Sequence, residues 1–313
     1  MANYLKVSTI SAAEIDTAGL HGQAAVDRML EFWQKKLNAV LPDKPELIVL
    51  PEACDRFNDL RGEKLREYYM VRGNQLRDVM SDIARQHGCT IAYSAVRQMA
   101  DNSWRNSTQI IDNRGAVCGI YDKNHPVVAE ITQSQVLAGS SAPIFNCDFG
   151  RVACAICFDL NFDELRLQYA KAQPDLILFS SMYHGGLMQQ YWAYSCRSFF
   201  IGAIAGLPGT VIAPNGRILA ETTNYFDHVT TVINLDSRLV HLDENWDKII
   251  QLKERYGSDF RMDDTGYLGA VLISSETGEV SIDEMIAEVG IELLDDYMQR
   301  SLAVQQNPDN QAP

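Results

Sequence analysis

The segment Pro45-Glu46-Leu47-Ile48-Val49-Leu50 has a counterpart in Pro174-Asp175-Leu176-Ile177-Leu178-Phe179. Each is a proline and an acid followed by four apolar residues. So short an apolar run suits a strand buried on both faces better than a helix. The surroundings recur as well. After the first copy, Leu76, Val79, Ile83 and Ala84 fall at helical spacing, and Gly88 is placed to end that helix. Residues 90–96 read as a strand and 109–121 as a hairpin turning at Asn113-Arg114-Gly115. After the second copy come a helical stretch (Leu187, Tyr191, Tyr194, Ser198), a strand at 200–205 and a hairpin at 211–217. Two unequal copies of strand–helix–strand–hairpin predict one body with internal pseudo-symmetry rather than a tandem array. Strands with few outward polar residues need cover on both faces. The expected fold is α/β, a four-layer α-β-β-α sandwich with helices outside and two sheets inside.

Upstream, Val26, Leu30, Trp33, Leu37 and Val40 predict a helix over 26–41. Residues 1–242 are expected to form the main domain. Residues 243–313 read as a C-terminal extension that packs on the body or on a partner subunit. It holds a polar helix at 244–256, a strand pair around 266–280 and an acidic amphipathic helix over 282–302. The polar end, 305–313, is expected to be disordered.

The chain has 313 residues, 46% hydrophobic and 22% charged, with a formal net charge of -14. That charge repels nucleic-acid backbones and anionic lipid, and no basic patch offsets it. Lys and Arg between Arg56 and Arg77 alternate with acids, as on a solvated helical face. The longest apolar run, 199–214, is interrupted by Gly206, Pro208 and Gly209 and is too short to span a bilayer. Seven cysteines, an odd number, lie mostly in apolar runs. They suit reduced thiols in a cytoplasmic protein, and the first twenty residues or so do not read as a signal peptide.

Three residues invite a chemical reading. Cys157 ends the strand at 152–156, and Asn161 with Glu164 resembles a helix capping box. A thiol at a strand-to-helix turn can have its pKa lowered by the helix end. A buried core cysteine is the ordinary alternative. Cys154 and Cys157 also spell C-x-x-C, but residues three apart on a strand face opposite sides, and no second motif completes a metal site. Glu52 follows the first buried strand, where α/β sites form, yet a loop acid reads the same way. Lys123 follows the first hairpin; beside a thiol it would stabilise thiolate and oxyanion, and otherwise it is a surface lysine. Tyr183, His184 and Trp192 follow the strand at 176–180, where pocket, core and surface roles are all open. No G-x-G-x-x-G follows the early strand, which disfavours a dinucleotide enzyme.

The motifs Leu47-Ile48-Val49-Leu50-Pro51-Glu52, Tyr121-Asp122-Lys123-Asn124-His125 and Ala155-Ile156-Cys157-Phe158-Asp159 occur in this order, followed by Phe162-Asp163-Glu164-Leu165. Together they resemble the nitrilase, or carbon–nitrogen hydrolase, superfamily, over most of the chain to about Asp236. Phe158-Asp159 after the nucleophile is similar to the amidase and carbamoylase branches. The resemblance implies an α-β-β-α sandwich that forms homodimers or larger assemblies. It implies Cys157 as nucleophile, Glu52 as base, Lys123 as oxyanion cation and Glu130, with Gly139 downstream, as the second glutamate. It also implies that the Phe158 N–H completes the oxyanion site, and that a small amide or N-carbamoyl compound is hydrolysed without metal or organic cofactor. Nitrile hydrolysis, a silent binding protein of the same fold and a dithiol redox protein are the rival readings. Three positions depart from the family: Asp163 stands where proline is usual, Arg166 is one position early, and the segment at 207–209 lacks Phe-x-Gly-x-Ser.

Overall fold

Apolar runs bounded by proline and glycine become strands with no water on either face, and helical periodicity supplies the layers that cover them. These elements are seen in a computed structural model that describes residues 1–312; Pro313 lies outside the described residues. The chain forms two compact units, Leu5–Val232 and a smaller one made of Met1–Tyr4 with residues 233 onward.

The first half of the larger unit runs β1 (Tyr4–Ile10), α1 (Gly22–Val40), β2 (Leu47–Val49), α2 (Gly62–Arg72), α3 (Gln75–His87), β3 (Thr90–Gln98), β4 (Trp104–Ile111), β5 (Val117–Asp122) and the short α4 (Val128–Thr132). The second half runs β6 (Phe145–Cys147), β7 (Gly150–Ile156), α5 (Asp163–Ala172), β8 (Leu176–Ser181), α6 (Leu187–Cys196), β9 (Phe199–Ile204), β10 (Thr210–Ile212), β11 (Ile218–Glu221) and β12 (His228–Asn234). Two six-stranded sheets result, in the orders β12-β1-β2-β3-β4-β5 and β11-β10-β9-β8-β7-β6. Pairing shows the internal symmetry. β1, β2 and β3 are parallel and continue antiparallel into β4 and β5; β7, β8 and β9 are parallel and continue antiparallel into β10 and β11. The sheets stack through buried side-chain bonds: Thr9 Oγ1 donates to the Gly202 carbonyl and Ser180 Oγ to that of Leu50, both at 2.8 Å. On the outer side of the first sheet, Val26, Met29 and Trp33 of α1 and Leu76 and Met80 of α3 pack on Ile10, Ile48 and Ile91. The fold is the four-layer sandwich.

Local readings are corrected in three places. α1 begins at Gly22, ahead of its first apolar marker. The charged stretch after Arg56 is a helix, α2, but its Tyr68, Tyr69 and Arg72 are buried rather than solvated. Asn161 does not cap α5: Phe162 is the N-cap residue, and Asn161 Nδ2 donates to the Phe158 carbonyl and the Tyr183 hydroxyl. A 3₁₀ turn over Cys157–Asn161 displaces the helix start and uses Asn161 internally.

The smaller unit contains β13 (Ser237–His241), α7 (Trp246–Tyr256), β14 (Phe260–Asp263), β15 (Ala270–Ser275), α8 (Ile282–Val289) and α9 (Leu294–Gln306). Its sheet has the order β13-β15-β14, all antiparallel, over a core that includes Val240, Leu252, Phe260, Ile273 and Met285. The sequence boundary at 242 falls downstream of this unit's first strand. The single helix expected over 282–302 is two, because Gly290 adopts φ 67° and ends α8. The expected strand pair lies earlier, at β14 and β15. Of the end expected to be disordered, Gln305 and Gln306 finish α9 and Pro308–Asn310 form a 3₁₀ turn.

Candidate active site

β2 carries the chain to Leu50, whose N–H donates to Ala92 and whose carbonyl accepts from Ser180. Strand geometry ends there. Ala53 takes φ 42°, a region a non-glycine residue rarely occupies, and the Cys54 N–H is anchored on the Ser94 carbonyl. Glu52 is thereby held inside the protein, 4% exposed. Its Oε1 accepts from Lys123 Nζ at 2.7 Å and from Asn106 Nδ2 at 2.8 Å; its Oε2 accepts from the Met182 N–H at 3.1 Å.

Lys123 leaves the end of β5 and is 2% exposed. Its N–H donates to the Asn106 carbonyl and its carbonyl accepts from Gly139, both at 2.8 Å. Nζ lies 2.7 Å from Glu130 Oε2 as well as from Glu52. Burial works against the ammonium, but the two carboxylates outweigh it and hold the pKa above its ordinary value. Glu130, on α4, is fixed by the Val127 N–H at 2.8 Å and by Asn106 Nδ2 at 3.0 Å. Asn106 from β4 thus spans both carboxylates with one amide group. Its nitrogen must face them, because both neighbours are acceptors only.

Cys157 follows β7 with φ 50°, at the start of the 3₁₀ turn. Asp159, wholly buried, shapes that turn. Its oxygens accept from the Ile156 N–H (2.9 Å), the Tyr121 hydroxyl (2.7 Å) and the His125 N–H (2.9 Å), and His125 Nδ1 lies 2.9 Å away. Burial and then the charge of Glu52 push the Cys157 thiol up to about 12, against Lys123 and the Met182 N–H, which pull it down. The lowering expected from a helix end is therefore overturned: α5 begins only at Asp163, and the local carboxylate and desolvation win. Cys154 is buried within β7, and burial raises its thiol pKa as well.

Glu52, Lys123, Glu130 and Cys157 line one cavity of about 260 Å³. Asn106 and Met182 join them. Leu65, Tyr69, Val96, Trp104 and Val136 form an apolar wall, and Arg56 and Arg66 add two cations. Here a protonated thiol stands beside a carboxylate that can take its proton, and a cation bridged between two carboxylates stands ready for a developing negative charge.

Four residues expected at the pocket are not among its lining. Trp192 is wholly buried in the core, with Nε1 donating to the Leu160 carbonyl at 3.2 Å. His184 Nδ1 accepts from the Gly186 N–H within its own loop. The Tyr183 hydroxyl accepts from Asn161. The Phe158 ring is partly exposed and lies edge-on to Phe162, while its backbone immediately follows the thiol residue. The chain after β8 meets the cavity at Met182 and then turns away. Asn106, Met182 and the two arginines escaped the sequence reading as site residues, and Asp159 entered it only as part of the motif after Cys157, without a role. Only Asp159, an acid inside the apolar run 152–160, offered a local sign.

The sequence profile of the carbon-nitrogen hydrolase family matches residues 15–240. The omega-amidase NIT2-B of Xenopus laevis is 23% identical over 235 residues, covering 67% of this chain and 83% of that protein. Nit3 of Saccharomyces cerevisiae, a member of branch 10 of the nitrilase superfamily, superposes with a TM-score of 0.57 at 16% identity, over 74% of this chain and 90% of its own. A mutant of the amidase from Nesterenkonia sp. AN1 superposes with a TM-score of 0.62 at 15% identity, over 74% and 89%. That structure shows covalent addition of the acetamide moiety of fluoroacetamide at the active site cysteine.

Proposed function

Because the chain belongs to the carbon–nitrogen hydrolase family, in the amidase-like branch of the nitrilase superfamily, we propose that it hydrolyses a small amide or N-carbamoyl compound through an acyl-thioester on Cys157. The observation that carries this reading is the contact of Lys123 Nζ with both Glu52 and Glu130 at 2.7 Å, in the cavity that also holds the Cys157 thiol.

Glu52 takes the thiol proton as Sγ attacks the carbonyl carbon. The carbonyl oxygen becomes an oxyanion beside Lys123 Nζ and the Phe158 N–H. Collapse breaks the C–N bond, and Glu52 passes its proton to the departing ammonia or amine. Glu52 then takes a proton from water, which attacks the thioester. The second oxyanion collapses to release the acid, and the thiol recovers its proton. Glu130 and Asn106 hold Lys123 and Glu52 in register throughout. A high resting thiol pKa fits this order of events, since the nucleophile is formed only when the base acts. The charged cluster, with both carboxylates satisfied, disfavours a silent binding protein.

The proposal extends to a cytoplasmic homodimer or larger homo-oligomer. All seven cysteines are free thiols, which suits a reducing compartment. No described helix is long and apolar enough to cross a membrane.

Ammonia release from a panel of short amides, N-carbamoyl compounds and nitriles tests the reading, with intact-mass detection of an acyl adduct in Glu52→Gln. Release from amides or carbamoyl compounds and an adduct confined to Cys157 are expected. Folded protein that releases no ammonia and forms no adduct would end the proposal; release from nitriles alone would replace it.

A further inference from the structure

Cys118 and Cys147 sit on the outermost strands of the two large sheets, Cys118 on β5 and Cys147 on β6. Their thiols are hydrogen-bonded to each other. Neither lines the catalytic cavity.

The fold brings the two together. Along β4 and β5, Ile110 pairs with Gly119 and Ile111 with Val117, so Cys118 has no partner across the ladder. An extra residue of this kind makes a β-bulge, which re-aims its side chain. Its Sγ stays tied to its own hairpin through the Ile110 carbonyl at 3.5 Å. The next residue, Gly119, lets the two sheet edges approach: a Cβ there would lie 2.4 Å from the Phe145 ring. Asn113 Nδ2, in the turn between β4 and β5, donates to Asp148 Oδ2, in the turn between β6 and β7, at 3.0 Å. The two edges are thus joined on either side of the thiol pair. Cys118 is exposed and Cys147 half-buried.

This pair differs from the other cysteines. Cys54, Cys89, Cys154 and Cys196 are buried, and burial raises each thiol pKa. Cys157 is raised as well. Cys118 moves the other way. The hydrogen bond from Cys147 brings it down to about 7, against burial and the charge of Asp112. The same bond, and then burial, push Cys147 up. Near neutral pH the charge therefore rests on the exposed sulfur, which accepts from the Cys147 S–H. An accessible thiolate with a second thiol in contact has both parts of a reversible oxidation site.

We propose that Cys118 and Cys147 are a peroxide-reactive pair, in which Cys118 is oxidised and Cys147 resolves it as a reversible disulfide between the two sheets. The Cys118 thiolate attacks one oxygen of hydrogen peroxide. The O–O bond breaks, hydroxide leaves and a sulfenic acid forms on Cys118. Cys147 Sγ then attacks the Cys118 sulfur. The S–O bond breaks, and the hydroxyl departs as water with the Cys147 proton. The two sulfurs lose two electrons in all; the peroxide takes them and, with the two thiol protons, becomes two waters. The new bond encloses residues 119–146, the segment that contains Lys123 and Glu130. The pair stands without the amidase reading, because neither thiol takes part in that chemistry.

Peptide mapping of the full chain tests the pair. The reduced protein is treated with hydrogen peroxide, blocked with N-ethylmaleimide and digested without reductant. Trypsin cuts after Arg114, Lys123 and Arg151, which puts Cys118, Cys147 and Cys154 on three separate peptides. A linked Cys118–Cys147 peptide is expected, released by dithiothreitol, from a single chain whose mass has fallen by two hydrogens. Cys147→Ser keeps a hydrogen-bond donor beside Cys118 but closes no disulfide. In it the sulfenic acid should accumulate, and dimedone labelling of Cys118 should exceed that of the unaltered chain about tenfold or more. Cys118→Ser should give neither the linkage nor a dimedone adduct on Cys147. Circular dichroism checks that both variants fold. The proposal is overturned if the unaltered chain forms no Cys118–Cys147 linkage, if Cys118 links instead to Cys154 or to a second chain, or if folded Cys147→Ser leaves Cys118 unlabelled.

Discussion

Cys157 keeps its proton in the resting site, since burial and the charge of Glu52 push the thiol up to about 12. Exchanging Glu52 for glutamine removes a charge and an acceptor that both raise that pKa, and leaves Lys123, which lowers it. The thiol of Glu52→Gln is therefore expected to titrate at lower pH than that of the unaltered chain, while turnover falls by about 10²–10⁴ through loss of the base. Iodoacetamide alkylation followed by mass across a pH series reads the midpoint; one that stays put or rises contradicts this electrostatic account. Asn106 is the other residue on which the site turns, because its single amide nitrogen serves both Glu52 and Glu130. Asn106→Ala is expected to lower kcat at least tenfold and to cost about 1–3 kcal/mol of stability, the range for a buried polar group left unpaired. Steady-state kinetics beside urea unfolding checks both numbers, and an unchanged kcat in folded protein removes Asn106 from the machinery. Glu52, Lys123 and Cys157 were legible as candidates because each sits in a short motif, and Glu130 followed only from the resemblance. Asn106 was not: in Trp104-Arg105-Asn106-Ser107-Thr108 nothing local distinguishes it from any polar strand residue.

Two connecting elements place the side chains of the cavity. The turn after β7 is organised around Asp159, which ties the Ile156 backbone to Tyr121 and His125 and so joins the turn bearing Cys157 to the segment bearing Lys123. Asp159→Asn keeps the shape but replaces one acceptor oxygen with a donor facing donors. A loss of about 2–3 kcal/mol is expected, the upper range for hydrogen bonds to a charged group. Denaturant unfolding and kcat should fall together; full stability would show that the turn holds itself. On the other side, Gly139 approaches so closely that a Cβ would sit 2.3 Å from the Asp122 carbonyl oxygen. Gly139→Ala is therefore expected to push its segment off Lys123 and reduce turnover about tenfold, on the scale of a misplaced catalytic group. Circular dichroism should remain unchanged. Unaltered turnover would show that this close approach does not position Lys123. Element boundaries were less legible than element types. The spacing of Asn161 and Glu164 fits a cap, but the 3₁₀ turn claims Asn161 first. Gly290 divides what reads as one amphipathic helix, because periodicity alone does not register a left-handed residue.

Across the whole molecule, a net charge of -14 opposes nonspecific association, so apolar side chains left in water on adjoining helices stand out. Leu167 on α5 and Leu187 and Tyr191 on α6 are 56%, 72% and 43% exposed. Light scattering of the purified chain is expected to give a dimer or larger assembly, and Leu187→Asp to shift it toward monomer. A monomeric unaltered chain at all accessible concentrations would contradict this expectation. The sequence by itself determined the internal repetition of the sandwich, the buried strands at its centre and the candidates Glu52, Lys123, Glu130 and Cys157. Hydrophobic periodicity and short motifs are properties of neighbouring residues, so a linear reading captures them. Only the tertiary structure decided that Asn106 spans two carboxylates, that Met182 rather than Tyr183 or His184 meets the cavity, that Trp192 belongs to the core and that the thiol pKa is raised. Each of these depends on through-space distance and burial among residues drawn from β2, β4, β5, α4 and β7, and an electrostatic field of that kind is set by proximity in the fold rather than by order along the chain.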